Sequence, residues 1–138
     1  MKRYLMKAIL SVVTLTTPLL AEVAVVANSS VGVSEISTDD LKRVFLGAKS
    51  SLSDGSNVEP VLLQAGAAHE AFLKEYVGKT DAALRNHFKS LVFTGKGSMP
   101  KSFASDAEVV AYVAKTKGAI GYVSNAGAAA GVKRIAVR

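Results

Sequence analysis

Cysteine and tryptophan are absent from the 138 residues, proline occurs three times, and aromatic side chains make up only 7%. Without cysteine there is no disulfide framework, thiol nucleophile, iron–sulfur cluster or thiolate-bound zinc. That absence does not argue against an envelope location, since many exported proteins fold without disulfides. Histidine occurs twice. His69-Glu70 opens like the zinc motif H-E-x-x-H, but Leu73 stands where the second histidine belongs, so the motif fails. His87, beside Phe88, reads as a half-exposed helix histidine. No G-x-S-x-G elbow, Walker loop or G-x-G-x-x-G fingerprint is present. The sequence therefore assigns no catalytic residue, metal or cofactor, and the expectation is a protein that is not an enzyme.

What is present is a chain 49% hydrophobic and 20% charged, the balance of one globular domain. Its first stretch stands apart. Met1 to Lys7 is basic, Ala8 to Leu20 is an apolar run of about 13 residues, and Leu19-Leu20-Ala21 ends in a small side chain. The run falls short of the roughly 20 residues that span a bilayer. The pattern is that of a secretory signal, with cleavage expected after about Ala21 and the remainder, 22–138, forming a single domain. Removing Lys2, Arg3 and Lys7 lowers the formal charge from +6 to +3. That bias is too weak for nucleic acid, and no aromatic-plus-arginine platform accompanies it.

Beyond the signal, strands and helices intermix. Glu22 to Asn28 and Val58 to Gln64 read as strands, the second with Pro60 near its start as at an edge. Val31 to Ile36 reads as a connector. Ser37-x-x-Asp40 and Ser105-x-x-Glu108 have the form of capping boxes, and Thr80 is a third cap. Each precedes apolar residues at helical spacing. A further helix runs from the Ala67 region to Val77 and stops at Gly78. Phe93 to Pro100 reads as a glycine-bearing basic loop. Ala119 to Ser124 and Val132 to Val137 read as closing strands, joined by an Ala/Gly-rich link, Asn125 to Gly131, expected to be loose. This order implies an α/β layer, a mainly parallel sheet of four or five strands with helices on both faces.

The helix near Ala67 differs from the other three in lacking a Ser, Thr, Asp or Asn cap. Uncapped first-turn amides favour an anion, and ligands of open α/β sheets commonly bind at the C-terminal strand edge. A glycine cap at Gly66 with water on the amides is the favoured account of the same residues taken alone, since a glycine cap costs little.

Several segments in order resemble phosphate-type periplasmic substrate-binding proteins of ABC transporters. They are Val23 to Asn28 with its connector, Ser37-Thr-Asp-Asp-Leu-Lys-Arg-Val-Phe-Leu-Gly47, the Asp54-Gly55 turn with Pro60-Val61, Phe93 to Gly97, Glu108 to Val113, and Lys117-Gly-Ala-Ile-Gly-Tyr-Val123. The last is the most specific. The resemblance implies a single lobe of the type II periplasmic-binding-protein kind, similar to the second of the family's two lobes. It also implies a periplasmic location and a link to phosphate or oxyanion uptake, with the membrane met only through a transporter partner.

One departure concerns the ligand turn. That lobe of the family carries an arginine and a G-S-G-T turn before the helix, where this chain has Ala65-Gly66-Ala67-Ala68 preceded by Gln64. The hydroxyls are missing, and each lost hydrogen bond to a charged ligand costs roughly 1.5–3 kcal/mol. The expected site is thus a weak oxyanion site at Gly66, Ala67 and Ala68, with donors added by His69, Asn28, Ser29 and Ser30 and long-range attraction from Lys96. The alternative is a ligand-free envelope module that dimerises or docks on a protein partner through the face a second lobe would cover.

Overall fold

A computed structural model of the chain describes residues 23–125 and 131–138. The expected export signal and cleavage point, and most of the Ala/Gly-rich link, lie outside the described residues.

The strands are β1 (Val23–Ala27), β2 (Glu35–Ile36), β3 (Glu59–Pro60), β4 (Leu62–Leu63), β5 (Ser102–Phe103), β6 (Ala119–Ser124) and β7 (Lys133–Val137). The helices are α1 (Thr38–Phe45), α2 (Ala67–Phe72), α3 (Asp81–Phe93) and α4 (Asp106–Lys115). Five strands form a sheet in the order β2-β7-β1-β6-β3, and β4 pairs with β5 beside it. The sheet is mixed. β2–β7 and β3–β6 are parallel, whereas β1 is antiparallel to both β6 and β7. Four of the five strands thus share one direction and β1 opposes them, which refines the expectation of a mainly parallel sheet. The two-residue strands β2 and β5 were not foreseen, the first lying inside the stretch read as a connector.

Local chemistry sets the helix starts. The side chains of Ser37, Thr80 and Ser105 accept the amides of Asp40, Ala83 and Glu108, each three residues on. The stretch read as one helix to Val77 has two parts. α2 ends at Phe72 and continues as a π-helical turn, Leu73–Val77, closed by left-handed Gly78, whose amide reaches Leu73 O at 2.7 Å. The wider turn leaves Leu73 and Val77 both buried.

Strand β6 is buried through Val123 and separates two helix layers. A side chain at Gly121 would strike Val61 and, on α4, Val109 on one face. On the other face Tyr122 stacks on Phe72 at 3.8 Å between ring centres, and Phe45 meets both rings edge-on. Helices therefore cover both faces. No described helix is long and apolar enough to cross a membrane.

Candidate functional site

The β3–β6 register, Pro60 opposite Ile120, carries the chain forward until Leu63 lies level with Tyr122. The turn that follows therefore sits at the C-terminal end of β6. Gly66 takes φ 106° there, a conformation that favours glycine, and feeds α2 with no side chain over its first amides. Gly66 and Ala67 are exposed and Ala68 is half-buried. The start of α4 lies at the same edge but is closed by its own acids. Asp106 accepts the amide and hydroxyl of Ser124, and Glu108 accepts the Ala104 amide.

A closed chain of hydrogen bonds braces the turn. The Leu63 amide donates to the Tyr122 hydroxyl at 3.2 Å, which lies 2.5 Å from His69 Nδ1. His69 Nε2 lies 2.7 Å from Asp81 Oδ1, and Arg85 Nε donates to Asp81 Oδ2 at 2.7 Å. Arg85 Nη2 then reaches the Gln64 carbonyl at 3.4 Å, one residue from where the circuit began. Tyr122 already accepts from Leu63, so its own proton goes to Nδ1, and the imidazole carries its proton on Nε2 toward Asp81. The hydrogen bond from Arg85 holds the Asp81 carboxyl below the usual carboxylate range; partial burial opposes this and His69 adds to it. Burial pushes the Tyr122 phenol up, so it stays a neutral donor.

The eight expected site residues divide between opposite edges. Gly66, Ala67, Ala68 and His69 share the turn. His69 is only 1% exposed, and both ring nitrogens are engaged inside the protein, so it braces the turn instead of offering a donor to a ligand. Asn28, Ser29 and Ser30 sit at the other end, because β1 runs against β6 and finishes where β6 begins. The length of β6 separates the two groups by roughly 17 Å at about 3.3 Å per residue. Asn28 is engaged there by the carbonyls of Val113 and Ala114 in the last turn of α4, and Ser30 Oγ accepts the Gly118 amide. Lys96 also lies at that distant end, in a groove it shares with Glu59 and Pro60. These four residues cannot join the Gly66 turn in one site. The reverse error concerns Arg85. No arginine stands directly before the turn in sequence, yet α3 supplies one to it, and the only trace in the sequence is its i, i+4 spacing from Asp81.

His87 is half-buried, as its setting implied, and bonds the Leu46 carbonyl at the end of α1. Among the described residues no cluster of three or more His, Asp or Glu is placed to hold a metal ion.

The fold is similar to that of one lobe of solved phosphate-type substrate-binding proteins. The chain is similar in structure to an ABC-type phosphate transport receptor from Vibrio cholerae, with TM-score 0.57, 13% identity, and coverage of 84% of this chain and 46% of that one. It is similar also to a phosphate ABC transporter substrate-binding protein with bound phosphate from Clostridium perfringens, with TM-score 0.66, 16% identity, and coverage of 84% and 44%. A third is PstS from Borrelia burgdorferi, with TM-score 0.61, 10% identity, and coverage of 85% and 47%. The chain spans less than half the length of each, as a single lobe does. No family model matches the chain, and no curated protein matches it in sequence.

Proposed function

We propose that the chain is an exported, phosphate-transporter-type solute-binding domain that holds a small oxyanion weakly at the turn Gly66-Ala67-Ala68. The observation that carries this reading is Arg85, whose guanidinium lies on the Gln64 carbonyl beside an exposed turn with no side chain over it. Arginine supplies a planar set of donors suited to an oxyanion. The likeness to a protein with bound phosphate supports the choice of ligand.

Two features keep the affinity low. Asp81 already takes the Arg85 Nε donor and offsets its charge. The turn also lacks hydroxyls. Binding in the millimolar range corresponds to about 4 kcal/mol. Calorimetry of the full chain at low salt tests the reading. Phosphate or sulfate at millimolar concentration should give a saturable heat that Arg85→Gln abolishes. No heat with any oxyanion, or a heat indifferent to Arg85, overturns it.

A further inference from the structure

At the edge of the sheet away from the Gly66 turn lies a groove of about 530 Å³, bounded by the ends of α1 and α3, the start of β3 and the loop that precedes β5. Leu91, Met99, Pro60 and Pro100 contribute its accessible apolar surface, above the buried Val44 and Phe88, and Lys49, Lys96 and Lys101 bring three cations to it. We infer that this groove binds a small organic monoanion with an apolar body, such as a medium-chain or aromatic carboxylate, separately from the oxyanion turn.

The loop is built to present Lys96. Gly95 takes φ 70°, and the amides of Lys96 and Gly97 both fold back onto the Leu91 carbonyl, at 2.8 and 3.3 Å. The loop backbone is thereby fixed to the end of α3. A side chain at Gly97 would press on Leu91, so glycine there allows the close approach.

The charges select the ligand. Lys49 is paired with Asp40 at 3.1 Å. Lys101 donates to the Tyr112 hydroxyl at 3.1 Å, which in turn donates to the Glu59 carboxylate at 2.9 Å. Among the described residues Lys96 makes no ion pair and no side-chain hydrogen bond, so one positive charge is left over. Glu59 lines the same groove and repels a second negative charge. A single-charged head is therefore favoured over a phosphate dianion, and the apolar wall favours a hydrocarbon or aromatic body. The volume lies within the usual range for small-molecule sites.

Octanoate is the probe, followed by amide NMR shifts of the full chain. Saturable shifts should centre on Gly47, Lys49 and Gly95 to Lys101. Lys96→Ala should weaken binding about threefold to fivefold, the scale of one exposed ion pair. Octanol should bind more weakly than octanoate, and inorganic phosphate should leave these amides in place. Shifts confined to other surfaces, equal affinity for octanol, indifference to Lys96→Ala, or displacement of octanoate by phosphate would each overturn the inference. Lys96 is exposed, so its variant leaves the fold intact. Weaker octanoate binding in that variant with an unchanged phosphate heat separates this groove from the turn.

Discussion

His69 Nε2 and Asp81 Oδ1 stand 2.7 Å apart, which ties the first turn of α2 to the first turn of α3. The bond is one link in a circuit that leaves Leu63 and returns at Gln64. Through it a buried aromatic core and an exposed ion pair hold the same turn. Every buried side-chain polar atom among the described residues finds a partner, so the network is satisfied throughout.

Replacing His69 with Phe keeps the bulk and removes both bonds. The Tyr122 hydroxyl then loses its acceptor inside the core, and Asp81 loses a donor. An unsatisfied buried group costs about 1–3 kcal/mol. His69→Phe is expected to lower the unfolding free energy by an amount in that range, seen as a lower urea midpoint with an unchanged slope. A midpoint equal to that of the parent protein would mean the circuit contributes nothing.

The most specific sequence segment, Lys117 to Val123, owes its two glycines to different constraints. Gly118 has φ 78°, and a β-carbon there would lie 2.6 Å from the Asn57 carbonyl oxygen, which is backbone and cannot step aside. Gly121 faces Val61 and Val109, at 2.9 and 3.0 Å from where its β-carbon would stand. Gly121→Ala forces side chains apart and is expected to cost about 1–3 kcal/mol. Gly118→Ala adds backbone strain to a clash and should cost more. Equilibrium unfolding of the two variants checks the order, and Gly121→Ala as the more damaging change would contradict it.

Much of this fold was legible because its signals are local. Ser37, Thr80 and Ser105 announce their helices within four residues, and the closing strands β6 and β7 carry continuous apolar or alternating runs. What escaped depends on remote partners. β2 and β5 are two residues long and exist only through β7 and β4. The direction of β1 is set by how the chain crosses the sheet, and no residue of Val23 to Ala27 encodes it. That one reversal moved Asn28, Ser29 and Ser30 away from the turn. Arg85 and the Tyr122–His69 contact were hidden for the same reason, since 21 and 53 positions separate the partners.

Acid should weaken the protein partly through Asp81. Its carboxyl titrates below the ordinary value of 3.8, chiefly because of the hydrogen bond from Arg85. A folded value below the unfolded one gives stability that is present above the unfolded value and lost as pH falls through the folded one. Asp81→Asn should therefore make the decline of stability with falling pH shallower in the window below about pH 4, where an unperturbed aspartate begins to take up its proton. Urea midpoints of parent and variant across that window measure it. Parallel curves would show that Asp81 is not linked to folding.

The weakness proposed for the oxyanion turn can be reversed by design. In the resembled family a threonine stands at the place of Ala68, and its hydroxyl reaches the ligand. Ala68 is half-buried in the first turn of α2 and packs against the core. A hydrogen bond to a charged ligand is worth roughly 1.5–3 kcal/mol, which corresponds to at least about tenfold in affinity. Ala68→Thr is expected to tighten phosphate binding by about that factor in calorimetry, and Arg85→Gln should cancel the gain, because the hydroxyl adds to a ligand the guanidinium already holds. A tighter variant that ignores Arg85 would place the anion elsewhere on the molecule. No gain at all would mean that the α2 turn, though open and flanked by a cation, does not face the ligand.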